Sequence, residues 1–148
     1  MKYKIIIGST VVALIGCFFL IKAMNKEIWE ENYDLLRKEV ISLDPSVETI
    51  NLIDITPFEW EVVHFFEPYT PVEVIYETVG YEWDSISATV SEGMNQIVFL
   101  NNGEVVCYVY GYPSNNGFGI SYTGSSLKLG NDLNFRVTKD KGVITLNK

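Results

Sequence analysis

The chain begins with an apolar run, Ile5 to Ile21, that contains no charged residue and follows Lys2 and Lys4. A helix of this length covers about 26 Å, close to the thickness of the hydrocarbon core of a bilayer. The run therefore predicts attachment to a membrane. It divides the chain into an anchor, residues 1–24, and a single domain, residues 25–148.

Two other interpretations of this segment stay open. A cleaved secretory signal has a shorter apolar region, about 7 to 15 residues, followed by small residues; Leu20-Ile21-Lys22-Ala23-Met24-Asn25 does not have that form. Leu14-Ile15-Gly16-Cys17 resembles the lipobox of bacterial lipoproteins, which implies lipid attachment at Cys17. The length of the run favours a retained, single-pass anchor over both alternatives.

The orientation of the anchor is not decided by counting lysine and arginine, since both flanks carry them. A very short basic tail before an apolar run is, however, how export signals and signal anchors begin. We therefore expect a cell-membrane protein whose carboxyl-terminal domain lies outside the cytoplasm.

Charge is distributed unevenly along the domain. From residue 25 onward there are 8 basic and 19 acidic groups, a formal charge of −11. Glu39 to Leu127 holds thirteen acidic residues and no lysine or arginine, whereas the segment from Lys128 holds five basic and two acidic residues.

Nucleic acid is excluded as a partner, because phosphate binding needs clustered basic side chains. The acidic surface is compatible with a cationic protein or peptide as partner, but such a surface more often serves solubility alone.

The domain opens with an amphipathic pattern. Apolar residues recur at helical spacing and predict a leading helix over residues 27–43, which Asp44-Pro45 ends. The members of this stripe are Trp29, Tyr33, Leu36, Val40 and Leu43. Residues 47–148 then form the sheet domain.

From Phe58 to Phe66 the pattern repeats every second residue and no longer every three or four. It predicts a strand whose one face carries Phe58, Trp60, Val62, His64 and Phe66. Residues 70–73 match a capping box, so a short helix is expected from Pro71 to Val79, ended by Gly80.

Two hairpins follow. Asn102-Gly103 is a strong two-residue turn signal between the apolar runs 96–101 and 104–111. That turn sets Val98 opposite Cys107, and both faces of the hairpin are apolar, as for strands covered on both sides. Cys107 is thus expected to be a small buried hydrophobe.

The second hairpin pairs 134–139 with 143–147 around Asp140-Lys141-Gly142, with one wet face. The sum of these elements predicts an α+β fold: a mainly antiparallel sheet of five to seven strands, one short helix and the leading helix packed on it.

No constellation for catalysis, metal or cofactor binding is visible. His64 is the only histidine, and zinc sites usually gather several His and Cys ligands. Ser85, Ser87 and Ser91 lack the Gly-x-Ser-x-Gly pattern of a nucleophile elbow. We therefore expect neither an enzyme nor a cofactor. A small cell-envelope hydrolase using His64 is kept as an alternative.

The segment Tyr112 to Ser126 is the strongest candidate for binding, since eleven of its fifteen residues are Tyr, Ser, Gly or Asn. Rigid aromatic residues among adaptable polar ones suit recognition. The alternative is a glycine-rich connection with a short strand near residues 119–123. The candidate binding residues are Tyr112, Asn115, Asn116, Phe118 and Tyr122.

Three stretches, Phe58-Glu59-Trp60, residues 65–70 and residues 91–96, resemble small membrane-anchored proteins of Gram-positive-type bacteria, some with the lipoprotein form. The resemblance covers most of the chain after Thr56 and implies no activity, ligand or catalytic residue. The sequence thus predicts a membrane-tethered module that binds a protein or peptide. An immunity or inhibitor protein against a basic toxin or enzyme is the first alternative.

Overall fold

The computed structural model describes residues 26–148. Apart from a 3₁₀ turn over Leu52–Ile55, the regular elements are helices and strands. In chain order these are α1 (Ile28–Ile41), β1 (Thr49–Asn51), β2 (Val62–Phe65), α2 (Val72–Val79), β3 (Asn95–Asn101), β4 (Glu104–Gly111), α3 (Pro113–Asn116), β5 (Phe118–Ser121), β6 (Ser126–Lys128), β7 (Asn134–Asp140) and β8 (Val143–Asn147).

The strands form two four-stranded sheets. Sheet I has the order β1-β7-β8-β5, and sheet II has the order β4-β3-β2-β6. Every neighbouring pair is antiparallel except β5 and β8, which run parallel. The mixed α+β class with antiparallel-rich sheets is confirmed, but the strands divide between two sheets where the sequence predicted one.

The main core lies between the two sheets and against α1. Its buried members come from both sheets, and the fully buried large side chains include Phe99, Phe118, Phe135 and Leu146. Leu36 and Val40 of α1 join the same cluster with no exposed surface. The helical stripe is therefore confirmed, with the helix ending at Ile41, two residues earlier than predicted.

A second core covers the opposite face of sheet II. Ile75 and Val79 of α2 pack there with Val98 and Leu100 of β3, while Ile86 comes from the segment that follows α2. Both faces of the β3–β4 hairpin are therefore buried, as its sequence predicts.

The register of this hairpin differs from the prediction beyond its first pairs. Asn102 and Gly103 form the turn with φ of 50° and 78°. A bulge then interrupts the ladder at Val106, so Cys107 pairs with Phe99 and not with Val98. One extra residue in a strand moves all later side chains to the other face. Cys107 is fully buried, as predicted, but in the main core.

The strand predicted from Phe58 to Phe66 is shorter and changes face. Only Val62–Phe65 is in the ladder, and Phe58 and Trp60 pack in the main core, on the side opposite Val62. Their rings meet Phe99 edge-on at centroid distances of 5.7 and 5.5 Å. Burial of both aromatic rings against Phe99 thus overrides strict alternation in the residues before the ladder.

The capping box predicted before α2 does not form. Thr70 Oγ1 instead donates a hydrogen bond of 2.6 Å to the carbonyl of Glu67, and Pro71 precedes the first helical residue. Gly80 ends the helix with φ of 98°, as predicted.

The second hairpin forms as its sequence predicts. Lys141 and Gly142 make a two-residue turn with φ of 48° and 83°. Phe135 and Val137 of β7 face the core while Arg136 is exposed, so this strand has one solvent-exposed face.

Side chains bind the backbone of β4, the end strand of sheet II. Asn32 Nδ2 of α1 donates to the Val106 carbonyl at 2.8 Å, and the hydroxyl of Tyr81 accepts from the Val105 N–H at 3.0 Å. Asn116 Nδ2 donates to the Tyr110 carbonyl at 3.1 Å. Three separate segments thus cover this strand.

The predicted anchor over 5–21 and the lipid site at Cys17 lie outside the described residues. Within residues 26–148, no helix combines the length and the apolar character needed to cross a membrane. Both interpretations of the amino-terminal segment therefore stay predictions.

Candidate binding site

The Tyr/Ser/Gly/Asn-rich segment is folded along most of its length. Tyr112 precedes the single turn of α3, and Gly117 ends that turn with φ of 80°. β5 follows over Phe118–Ser121, where the sequence suggested a short strand near 119–123, and β6 begins at Ser126. The segment is therefore part of both sheets and not one long loop.

Phe118 is a core residue. Its side chain has no exposed surface, and its ring lies 6.1 Å from that of Tyr33 in α1. Although the sequence marked it as a binding residue, it presents no surface to a partner. The alternating pattern of β5 turns Phe118 and Ile120 toward the core.

Three more of the predicted residues lie around α3. Tyr112 is 36% exposed and Asn115 is exposed. Asn116 is half-buried and structural, because its carbonyl accepts a 2.8 Å hydrogen bond from Arg37 Nε while its amide binds β4. None of these three lines the groove that Tyr122 lines.

A groove of about 480 Å³ opens where the end of β2 and the start of β3 meet the ends of β5 and β8. We call it the Tyr122 groove. Its apolar lining comes from both sheets and from the segments beside them: Phe65, Phe66, Met94, Pro113, Ile120 and Tyr122. Of the five predicted binding residues, only Tyr122 is among these.

The wall formed by β5 is fixed by Asn95 at the start of β3. Asn95 Nδ2 donates to the Ile120 carbonyl at 3.2 Å, and Asn95 Oδ1 accepts from the Ile120 N–H at 3.1 Å. Gly119 allows this close approach, since a Cβ there would lie 3.0 Å from Asn95 Oδ1 and 2.6 Å from Pro113 Cγ. The wall is thus held by specific contacts and cannot accept a side chain at residue 119 without movement.

Tyr122 is held in a defined position within the groove. Its ring meets Phe65 at a centroid distance of 5.3 Å and an angle of 63°. Gly124 makes room for the ring, because a Cβ at Gly124 would lie 2.5 to 2.6 Å from three of its atoms. The half-buried ring is therefore held in one orientation by its neighbours.

The groove is acidic. Glu67 and Glu92 are exposed at its edge, and its lining within the described chain includes no Lys, Arg or His. Carboxylates beside aromatic rings favour an ammonium or guanidinium group. Sequence reasoning missed these two residues individually. The long acidic stretch without a basic residue was the signal that could have found them.

Tyr69 lies two residues from Glu67 and adopts a left-handed backbone, φ 67°, that a bulky side chain rarely takes. Its N–H donates to the hydroxyl of the buried Thr89 at 2.8 Å, while its side chain is 55% exposed. Strained residues of this kind cluster at binding sites. Tyr69 is thus an exposed aromatic residue near the Glu67 edge.

Gln96 lies at the base of the same region and is 1% exposed. Its Nε2 donates to the Ser87 carbonyl at 2.6 Å and to the Tyr108 hydroxyl at 3.2 Å. Within the described residues its Oε1 accepts no hydrogen bond, although the atom is buried. Gln96 therefore holds the segment around Ser87 onto sheet II at an energetic cost.

The hydrolase alternative depends on His64. His64 is half-buried on β2, with Val98 and Ser126 as its cross-strand neighbours. Burial, and next the charge of Lys128, lowers its pKa, and no hydrogen bond contributes to that shift. The serines at 85, 87 and 91 lie in the segment covering sheet II. Among residues 26–148, no group of three or more His, Cys, Asp or Glu side chains is arranged to hold a metal ion.

Comparisons with protein-family models, with curated proteins and with solved structures found no match to this chain. The resemblance to small anchored bacterial proteins therefore stays a prediction. What can be said of function rests on the residues of the groove.

Proposed function

We propose that this protein is a membrane-tethered binding domain, outside the cytoplasm, that holds a cationic segment of a protein or peptide in the Tyr122 groove. The observation that carries the proposal is the pairing of a preorganised aromatic wall with two carboxylates, Glu67 and Glu92, in a groove without basic lining.

The size and composition of the groove suit such a ligand. Its volume of about 480 Å³ lies within the range of about 300 to 1,000 Å³ of small-molecule sites and suits a few side chains of an extended segment. Tyr122 and Phe65 supply ring surface for an aliphatic stem or a cation. Exposed carboxylates add only about 0.2 to 1 kcal/mol each. We therefore attribute most of the affinity to the aromatic wall formed by Tyr122 and Phe65.

The acidic charge of the domain is expected to act on the association rate and on the choice of partner. No lysine or arginine occurs between Glu39 and Leu127, the stretch that supplies most of the groove lining, so we expect a negative field at the groove. Such a field accelerates association with a cationic partner and weakens as salt is added. The rim charges are therefore expected to set the association rate more than the dissociation rate.

The same charge pattern favours one specific version of this function. An immunity or inhibitor protein that intercepts a basic toxin or enzyme at the membrane would use an acidic face for fast capture. It would differ from a peptide-binding module by tight affinity for one folded basic protein.

The test compares two charge-matched variants of the full-length protein kept in detergent. Glu67→Gln with Glu92→Gln removes both groove carboxylates, and Glu77→Gln with Glu104→Gln removes two exposed carboxylates elsewhere. The probes are an acetylated, amidated peptide of alternating Lys and Gly and its Glu counterpart, followed by calorimetry and by association rates at two salt concentrations.

We expect the groove variant to bind the lysine peptide about fivefold more weakly, from a loss of about 1 kcal/mol, and the control variant to bind like the unmodified protein. The Glu peptide should not bind. Equal weakening in both variants would show that net charge alone attracts the peptide and would contradict the proposal.

A further inference from the structure

A second groove lies at the other end of β3. It has a volume of about 340 Å³ and is lined by residues near Asn101, whereas the Tyr122 groove begins at Asn95. On β3 the nearest lining residues of the two grooves, Ile97 and Asn101, are about 13 Å apart along the strand. We call it the Trp60 groove, and no residue of the described chain lines both grooves.

The base of the Trp60 groove is rigid. Trp60 is 4% exposed, and its indole Nε1–H donates to the Thr56 hydroxyl at 2.9 Å. Phe58 and Trp60 both pack edge-on against Phe99 of the main core. A ligand entering the groove therefore meets a surface that is already ordered, which lowers the entropic cost of binding.

Two aliphatic side chains line the groove and remain half-exposed. Ile53 is 51% and Leu129 50% exposed, and the Leu129 N–H donates to the Glu61 carbonyl at 3.2 Å. Solvent-exposed apolar side chains gathered around a concave apolar surface mark interaction sites. The groove is thus suited to receive an apolar side chain.

The charged residues that line the groove are of one sign. Glu59 and Glu61 are exposed and belong to its lining, which in the described chain includes no Lys or Arg. Glu61 Oε2 accepts a hydrogen bond of 3.1 Å from the Asn102 N–H, and the two ion pairs within residues 26–148 involve neither carboxylate. Glu59 is therefore the carboxylate available to a cation.

The apolar lining and the available Glu59 carboxylate together suit a ligand that is both apolar and cationic. We propose that the Trp60 groove binds a partner-protein segment that inserts one apolar side chain and places a Lys or Arg beside Glu59. The apolar side chain is buried between Ile53 and Leu129 over Trp60. An anionic bilayer is disfavoured as occupant because the two glutamates repel it. This site is separate from the Tyr122 groove and does not depend on the function proposed for that groove.

The indole N–H of Trp60 reports on occupancy. The chain has three tryptophans, so the ¹H–¹⁵N spectrum of the full-length protein in detergent has three indole signals. Trp29 and Trp83 pack against each other at 5.3 Å in a different cluster and serve as internal controls. Trp60→Phe assigns the signal. The probe is an acetylated, amidated Gly-Ser-Lys-Leu-Lys-Ser-Gly peptide, compared with versions carrying Ser for Leu or Glu for both Lys.

We expect saturable movement of the Trp60 signal alone. Affinity should fall roughly tenfold in Leu129→Ser and in Ile53→Ser, since each loses apolar contact area. Val90→Ser, at a 74% exposed position elsewhere, should bind normally, as should Glu77→Gln, at an exposed position of α2 that lines neither groove. Glu59→Gln should weaken the lysine peptide only.

Three results would overturn the proposal. The first is no movement of the Trp60 signal at millimolar peptide. The second is equal movement with the Leu and Ser peptides. The third is movement with protein concentration when no peptide is present, which would identify a second copy of the chain as the occupant. Unchanged remaining signals in each variant show that the fold is intact.

Discussion

Asn95 and Ile120 are joined by two reciprocal hydrogen bonds, of 3.2 Å from the Asn95 amide to the Ile120 carbonyl and 3.1 Å from the Ile120 N–H to Asn95 Oδ1. Asn95 starts β3 in sheet II, and Ile120 lies in β5, the end strand of sheet I. The amide side chain therefore acts as the strand neighbour that β5 lacks, and it ties the two sheets together beside the Tyr122 groove.

Replacing Asn95 should destabilise the protein measurably. Asn95→Ala removes both hydrogen bonds, and at about 0.5 to 1.5 kcal/mol each we expect a loss of about 2 kcal/mol in the free energy of unfolding. Urea unfolding followed by circular dichroism measures this loss. Asn95→Asp keeps the acceptor and loses the donor, so it tests the two bonds separately. The matched control is Asn115→Ala, an exposed position expected to change stability by less than about 0.5 kcal/mol. Equal stability of the two alanine variants would refute a role for this pair.

Phe118→Ala should act on stability and not on ligand contact. The fully buried ring leaves a cavity when it is removed, and Phe-to-Ala changes in cores cost about 3 to 5 kcal/mol. Tyr112→Ala, six residues earlier and 36% exposed, should cost under about 1 kcal/mol. Thermal and urea unfolding compare the two variants. A Phe118→Ala protein as stable as the Tyr112→Ala protein would mean that the ring is not in the core.

His64 should make the protein less stable as pH falls below neutrality. Burial, and next the Lys128 charge, lowers its pKa in the folded state below the ordinary 6.5. The unfolded chain therefore binds the proton more readily than the folded protein does. The contribution of neutral His64 to the free energy of unfolding is complete above pH 6.5 and is lost as pH falls toward the folded-state pKa. One proton limits this slope to about 1.4 kcal/mol per pH unit.

Urea unfolding at pH 7.5 and pH 5.2 measures the effect, because most carboxylates stay ionised over that range. His64→Gln should show a smaller difference between the two pH values. Since the chain has a single histidine, its ring-proton titration by NMR is unambiguous. A midpoint at or above 6.5 in the folded protein would contradict the expectation.

The intact mass of protein extracted from membranes should separate the three interpretations of the amino-terminal segment. We expect the mass of all 148 residues, as for a retained anchor. A mass beginning at Cys17 with added lipid would replace that interpretation with a lipoprotein. A mass beginning near residue 25 in a soluble fraction would indicate a cleaved signal and remove the tether from the proposed function.

Local signals in the sequence predicted the elements whose geometry is set locally. The Asn102-Gly103 turn fixed one hairpin, and the helical spacing around Leu36 and Val40 identified α1. The bulge at Val106 could not be predicted, because it depends on which core Cys107 fills once both sheets are assembled.

The groove was predictable only in part, for a similar reason. Glu67, Glu92 and Tyr122 are far apart in the chain and come together through long-range pairing, including the parallel contact of β5 with β8. The composition of 112–126 pointed to a segment that supplies part of the groove lining. It could not distinguish Phe118, which fills the core, from Tyr122, which lines the groove.

The side chains that bind the backbone of β4 oppose strand addition between neighbouring copies of the chain. A bare end strand is a template on which a further copy of the chain can add its own strand. Asn32, Tyr81 and Asn116 occupy backbone groups that such an addition would use. A domain held on a bilayer as proposed meets its copies often in two dimensions, and this arrangement lets it stay dense on the surface without nucleating intermolecular sheets along β4.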